Sequence, residues 1–263
     1  AERRKAIKEI LLKNKSVKVS ELVKQFNVSE ETIRRDLHQL ENEGFLEKNY
    51  GGATLIESSG TREMVLPIQQ RHQQHYHEKK LIGHKAAELI KPEQTIILDA
   101  GTTTWHVTKG LKERGKLTII TNAMNIAEQC SRNEETSIYL LGGKLRRNSL
   151  STVGPQAESE LTKYNANYAF LGTSGISLRQ GFTSSDLYEA EMKKAMVAAG
   201  HKIVVLADHS KLYKAGLTSF CQFEDVDIFI TSDKADDAVL SEIEKAGVEV
   251  IAVSTEDNLD DEE

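Results

Sequence analysis

Apolar positions in the first sixty residues recur at helical intervals, in short bursts separated by polar turns. Ile7, Ile10 and Leu11 mark a first helix over residues 2–14, basic on its outer side. Leu22, Val23 and Phe26 are the inward positions of a second, short helix that Ser20 is placed to cap. Asn27-Val28 reads as a tight turn and Ser29 as the cap of a third helix. In that third helix Ile33, Leu37 and Leu40 form one stripe at spacings of four and three. At about 100° per residue, Glu31, Arg35 and His38 point away from the stripe, with Thr32, Arg34 and Gln39 on its shoulders. Phe45-Leu46, the turn Lys48-Asn49-Tyr50-Gly51-Gly52 and Thr54-Leu55-Ile56 then read as a β-hairpin.

Beyond Ile56 the pattern changes. Residues 57–75 have turn chemistry and no sustained period, a linker with one docking segment around Met64–Ile68. A helix is predicted from Glu78 to Ile90, with Leu81, Ile82, Ala86, Leu89 and Ile90 apolar. From Thr95, β-rich runs (Thr95–Leu98, Leu117–Thr121, Thr136–Leu141, Tyr168–Leu171, Ile203–Ala207, Ile228–Thr231, Val248–Val253) are interspersed with helical ones. The helical segments are Thr104–Arg114, Met124–Ser131, Gln156–Tyr164, Ser185–Ala199 and Asp236–Ala246. Strands separated by helices argue for an α/β domain with a largely parallel sheet. The expected organisation is a head over residues 1–56, a linker over 57–75 and a body over 76–263.

Charge sharpens this division. The formal net charge is −6, but residues 1–56 hold eleven Lys and Arg against nine Asp and Glu, and the rest twenty-three against thirty-one. A positive head on an acidic body implies that only the head meets phosphate. Cys130 and Cys221 are far apart and read as reduced thiols. With no long apolar run or leader-like segment, neither membrane insertion nor export is expected, and the location is cytoplasmic. Residues 257–263 read as a frayed acidic tail.

An amphipathic helix with two arginines, taken alone, also fits a helical hairpin with a solvated face. A helix, a short strand, two capped helices and a Gly-Gly hairpin in under sixty residues instead describe a winged helix-turn-helix. Its third helix, dry behind and arginine-bearing in front, fits a DNA major groove. Candidate DNA contacts are Ser29, Glu31, Thr32, Arg34, Arg35 and His38 on this helix, with Lys48 and Tyr50 in the wing.

Ligands of open α/β sheets sit outside the carboxyl ends of the strands. The first strand of the body runs into Asp99-Ala100-Gly101-Thr102-Thr103-Thr104, where a glycine, three hydroxyls and a helix start offer hydrogen bonds to an anion. Later strands end at Asn122, at Gly142-Gly143-Lys144 with Arg146 beyond, at Gly172-Thr173-Ser174-Gly175, and at Asp208-His209-Ser210-Lys211. Together they describe a pocket for a polyol carrying a phosphate, although each turn alone is more commonly a cap or a bend. His72, His75 and His77 match no strong zinc spacing, and neither a metal nor a cofactor is expected. Trp105 and Tyr188 could stack on a sugar ring; core packing is the commoner fate.

Along nearly its whole length the chain resembles the DeoR-type bacterial transcriptional regulators. The head carries Val28-Ser29-Glu30-Glu31-Thr32-Ile33-Arg34-Arg35-Asp36-Leu37, then Leu40-Glu41, Gly44 and Gly51-Gly52-Ala53. The body carries Asp99-Ala100-Gly101-Thr102-Thr103, Thr121-Asn122, Gly142-Gly143, Val153-Gly154, Phe170-Leu171-Gly172, Gly175-Ile176 and Ala207-Asp208-His209-Ser210-Lys211. The resemblance implies a body related to ribose-5-phosphate isomerase and glucosamine-6-phosphate deaminase. It also implies a sugar-phosphate effector, operator DNA, repression of a sugar-catabolic operon and a homodimer or homotetramer. By the same match Glu189 and Lys193 become pocket candidates. Thr231-Ser232-Asp233 departs from the family, which more often has Thr-Asp directly, and no site is expected there.

The competing expectation is a sugar-phosphate isomerase or deaminase with a DNA-binding appendage, which needs a positioned acid/base pair. The Gly172–Gly175 loop has no carboxylate, which favours binding without turnover, although Asp99 or Asp208 could supply a base.

Overall fold

The computed structural model describes residues 2–42, 46–49, 51–55 and 68–257. The chain divides into two compact units, residues 1–59 and 60–263.

The first unit contains α1 (Glu2–Asn14), β1 (Ser16–Lys18), α2 (Val19–Phe26), α3 (Glu30–Asn42), β2 (Leu46–Asn49) and β3 (Gly52–Leu55). The strands form an antiparallel sheet in the order β1-β3-β2. The α3 stripe of Ile33, Leu37 and Leu40 is buried with Ile7, Leu11, Leu22 and Leu46. Asn27 takes the left-handed conformation at φ 50°, closing the α2–α3 turn. Ser29 caps α3, its hydroxyl accepting from the Thr32 amide at 3.3 Å. Ser20 is not a cap: α2 begins at Val19 directly from β1. The Val19 amide instead donates to the Gly51 carbonyl at 2.9 Å, so the wing turn satisfies it. Phe45, Tyr50 and Ile56 lie outside the described residues.

The second unit opens with α4 (Ile68–Gln73) and α5 (Tyr76–Ala87). Strands and helices follow as β4 (Thr95–Leu98), α6 (Thr102–Val107), β5 (Thr118–Thr121), α7 (Met124–Cys130), β6 (Ser137–Leu140), β7 (Lys144–Arg146) and β8 (Ser151–Val153). Then come α8 (Pro155–Leu161), β9 (Ala166–Gly172), β10 (Gly175–Ser177), β11 (Gly181–Ser184), α9 (Leu187–Ala199), β12 (Gly200–Leu206) and β13 (Thr218–Cys221). The last elements are β14 (Ile228–Ser232), α10 (Asp237–Lys245) and β15 (Glu249–Val253). The stretch expected as linker therefore ends in a helix, α4, within this unit. Short 3-10 turns over Thr108–Gly110 and Lys112–Arg114 replace the rest of the long helix expected to Arg114.

Seven strands form one all-parallel sheet in the order β15-β14-β12-β9-β4-β5-β6. Its apolar runs serve both faces, as a sheet covered on two sides requires. Ile97, Ile120, Leu171, Val205 and Phe229 face one core with Met192 and Met196 of α9 and Val239 and Ile243 of α10. Their neighbours Ile96, Leu98, Ile119, Phe170, Val204 and Ile230 face the other with Ile82 and Ala86 of α5, Val107 of α6 and Ile126 of α7. The chain builds outward through β4, β5 and β6, then returns to place β9 on the opposite side of β4. Strand order thus reverses between β4 and β9, which opens a crevice at their carboxyl ends. On one side of that crevice α5 and α6 touch backbone to backbone. A Cβ added at Gly83 would lie 2.5 Å from the His106 Cβ and 2.6 Å from its carbonyl carbon.

Candidate DNA interface and effector cavity

On the head, Glu31, Arg35 and His38 are exposed on the face of α3 opposite its buried stripe, Arg34 is exposed on the shoulder, and Thr32 is half-buried. The side chains hold one another. Arg34 reaches back to Glu30 at 2.6 Å and Arg35 toward Glu31 at 4.0 Å. Lys48 of the wing contacts Glu41 at 2.8 Å and the His38 ring at 3.1 Å. The Lys48 hydrogen bond is the largest influence on Glu41 and lowers its pKa. Exposed i,i+4 pairs of this kind contribute little and exchange readily for phosphate. Tyr50 is outside the described residues.

In the body a cavity of about 710 Å³ opens where the strand order reverses. Its wall takes Ala100, Gly101, Thr102 and Thr103 after β4, Gly172, Thr173 and Ser174 after β9, and Ser210 and Lys211 after β12. Glu189 and Lys193 enter from α9, where Asp186 caps the helix by accepting from the Glu189 amide at 3.1 Å. Of the sequence candidates, Gly101, Thr102, Thr103, Gly172, Ser174, Glu189, Lys193 and Lys211 line this cavity.

The others stand behind the wall or away from it. Asp99 is buried; it accepts from the Gly172 amide at 3.0 Å and is ion-paired with Lys193. Lys193 also donates to the Gly172 carbonyl at 2.9 Å, tying the ends of β4 and β9 together. Thr104 turns inward and donates to the Asp99 carbonyl at 2.7 Å. Asp208 is buried beside the cavity, one oxygen held by the Ser210 amide at 3.0 Å and the other 4.0 Å from the Lys79 ammonium. Gly175 packs its backbone against Lys214, where a Cβ would meet the carbonyl oxygen at 2.4 Å. Asn122 follows β5 and spends its amide on the Thr152 carbonyl at 2.8 Å. Gly142 follows the edge strand β6 and its amide donates to Glu160 at 3.2 Å. Gly143 and Lys144 lead into the β7–β8 hairpin and are not among the lining residues. Arg146 stands behind Glu189 at 3.6 Å and pairs with Asp186. On the β5–β6 side of the sheet no strand end contributes to the wall, whereas on the other side the end of β12 does.

Residues missed in the sequence complete the wall: Arg71 and Gln74, His75, Lys79 of α5, Ser185 and Lys214. Burial pushes the Lys79 ammonium down to about 8; Asp208 opposes this and Lys211 and Arg71 add to it. Burial also lowers the Arg71 guanidinium, against the pull of Glu189 and Asp99. Beside the wall, Glu78 of α5 is buried and forms a hub. It accepts from the Ser232 hydroxyl at 2.6 Å and contacts the His209 ring nitrogen at 2.8 Å. A carboxylate can only accept, so that nitrogen carries the proton. Burial alone would raise the Glu78 carboxyl, but Ser232 and His209 hold it down at about 2. The residue by which this chain departs from the family pattern, Ser232, thus has a structural partner.

His75, Asp208 and His209 each offer a ligand atom within 4.8 Å of one another, the closest approach to a metal-ligand set among the described residues. The His72 ring meets Trp105 edge-on at 5.0 Å, and Trp105 packs rather than facing the cavity. Tyr188 is 51% exposed and so is not a core residue; Lys144 lies over its ring at 5.5 Å. No helix among the described residues is long and apolar enough to cross a membrane.

With this geometry in place, known proteins give context. The DeoR-like helix-turn-helix domain matches residues 3–59 and the DeoR C terminal sensor domain matches residues 74–233. The uncharacterized HTH-type transcriptional regulator YulB of Bacillus subtilis is 38% identical over 96% of this chain and 96% of its own length. The HTH-type transcriptional regulator IolR of the same organism is 35% identical over 88% of this chain and 90% of its own. Among solved structures, ribose 5-phosphate isomerase from Plasmodium falciparum superposes with a TM-score of 0.38 and 16% identity, covering 51% of this chain and 52% of that one.

Proposed function

Because this chain belongs to the DeoR family of transcriptional regulators, a DNA-binding regulator rather than an enzyme, we propose that it represses a sugar-catabolic operon and is released by a phosphorylated sugar or sugar alcohol. The observation that carries this reading is the charge of the cavity. Arg71, Lys79, Lys193, Lys211 and Lys214 converge on it, and among the described residues Glu189 is the one carboxylate in its lining. Such a wall selects an anion, while Thr102, Thr103, Ser174 and Ser210 supply hydroxyls for a polyol. Of the carboxylates an isomerase would use, Asp99 is tied to Lys193 and the Gly172 amide, and neither it nor Asp208 is part of the cavity lining.

On the head, Ser29, Glu31, Thr32, Arg34, Arg35 and His38 are the proposed groove contacts, with Lys48 and Tyr50 touching the backbone from the wing. A homodimer or homotetramer reading a two-fold operator supplies affinity that one small head lacks. Effector binding must favour one arrangement of the heads over another, because equal affinity for both shifts nothing. The test is fluorescence anisotropy on a duplex selected from random DNA, titrated with sugar phosphates and with their unphosphorylated parents. Release by the phosphates alone supports the reading. Release by parent sugars, or DNA binding indifferent to every phosphate, refutes it.

A further inference from the structure

We propose, resting on the reading of the cavity as an anion-sensing site, that Arg71 grips the effector's phosphate and thereby fastens α4 to the body. Arg71 lines the cavity, yet its Nε and Nη2 are buried with no hydrogen-bond partner. Natural interiors seldom leave two donors of one guanidinium unmet. The nearby carboxylates are engaged by other groups, Asp99 by Lys193 and the Gly172 amide and Glu189 by Arg146. The charge that would complete Arg71 therefore comes from outside the chain.

The other cations are poorer candidates for this grip. Lys193 is neutralised by Asp99, and Lys79 donates to the Arg71 carbonyl at 2.6 Å and lies 4.0 Å from Asp208. A planar fork with two parallel N–H groups matches two phosphate oxygens at once, which an ammonium cannot do.

The position of Arg71 gives this grip a consequence. α4 has six residues, and among them Ile68 alone is fully buried. Its described anchors are the Ile68 amide on the Asn148 carbonyl at 3.1 Å, the edge-on contacts of the His72 ring with Trp105 and His106, and the Lys79 bond to Arg71. A helix this short owes its stability to such contacts, so one more strong bond changes its population measurably. In sequence, α4 directly precedes the body's first long helix and follows the stretch leading from the head. Occupancy of the cavity is therefore felt first in the segment of chain arriving from the DNA-binding unit.

The experiment uses the full chain as wild type, Arg71→Lys and Arg71→Gln. Probes are inorganic phosphate, D-glucose 6-phosphate, D-glucose and D-gluconate. Affinity is read by thermal shift, and α4 docking by the rate of tryptic cleavage after residue 71, a site the lysine variant keeps. Phosphate probes are expected to raise the wild-type melting temperature and slow that cleavage. In Arg71→Lys the affinity should fall about tenfold or more, with the protection lost in parallel. If wild type and Arg71→Lys respond alike, the role of Arg71 is overturned while the anion site stands. If gluconate acts as well as the phosphates, the phosphate assignment is overturned. If no phosphate probe acts on the wild type, this inference and the reading beneath it both fall.

Discussion

Replacing Lys193 with methionine tests how the crevice is built. Lys193 and Asp99 are 5% and 3% exposed, and together they hold the ends of β4 and β9 at the point where the strand order reverses. Methionine fills much the same volume but leaves Asp99 as a buried carboxylate with the Gly172 amide as its remaining described donor. Removing one partner of a buried ion pair costs about 3–5 kcal/mol. A domain of about 200 residues loses roughly 2–4 °C of melting temperature per kcal/mol, so the body should melt about 6–20 °C lower. The double variant Asp99→Asn with Lys193→Met removes the orphaned charge while keeping an acceptor for Gly172, and should recover most of the loss. Differential scanning calorimetry at neutral pH reads both. A single variant melting within about 2 °C of wild type, or a double variant as unstable as the single, would refute the idea that this pair fastens the crevice.

Other outcomes follow from the same geometry. Glu78 has its pKa lowered from 4.5 to about 2, so its stabilisation is full above pH 4.5 and is lost as pH falls through about 2. Urea melts of wild type and Glu78→Gln should differ by about 3 kcal/mol at pH 6 and converge in acid, and a constant difference would contradict the assignment. Lys79 titrates near 8, so a bound phosphate, by favouring its charged form, should draw in a proton between pH 8 and 9. Titration calorimetry in two buffers of different ionisation heat measures this, and identical heats would exclude it. On the head, Arg35→Ala should weaken specific DNA binding by about 1–3 kcal/mol with altered base preference. Lys48→Ala should instead reduce the salt slope of log K by roughly 0.9 without changing preference, and the reverse pattern would exchange their roles.

The sequence carried the head almost completely, because every part of a winged helix leaves a local mark: the Ile33-Leu37-Leu40 stripe, the Ser29 cap, the Gly51-Gly52 turn. The parallel strands were equally legible as apolar runs. The antiparallel pieces β7, β8, β10, β11 and β13 were not, since Lys-Leu-Arg, Ser-Thr-Val, Gly-Ile-Ser, Gly-Phe-Thr-Ser and Thr-Ser-Phe-Cys hold too few apolar residues to show a run or a period. α4 was lost for a similar reason, a single buried apolar residue in Ile-Gln-Gln-Arg-His-Gln. Strand-end chemistry pointed to residues of which several line the cavity, but strand order is a long-range property, and Asn122 and Gly142–Lys144 are not among the lining residues. Arg71, Lys79 and Lys214 come from helices and loops outside that logic. Glu78 and Lys79 did leave a trace: Glu78 sits four residues before Ile82 on the buried stripe of α5, where a carboxylate must have partners.

The backbone contact at Gly83 acts as a fixed caliper. Lys79 lies one helical turn before it on α5, and Thr102 and Thr103 lie one turn before His106 on α6. Both jaws of one side of the cavity are thus held together at a point outside its lining. A single methyl at position 83 would have nowhere to go between those backbones. It would force the helices apart and widen the gap between the lysine and the two hydroxyls. The width of the cavity on this side is therefore set by a residue with no side chain, one that stands outside the lining it spaces.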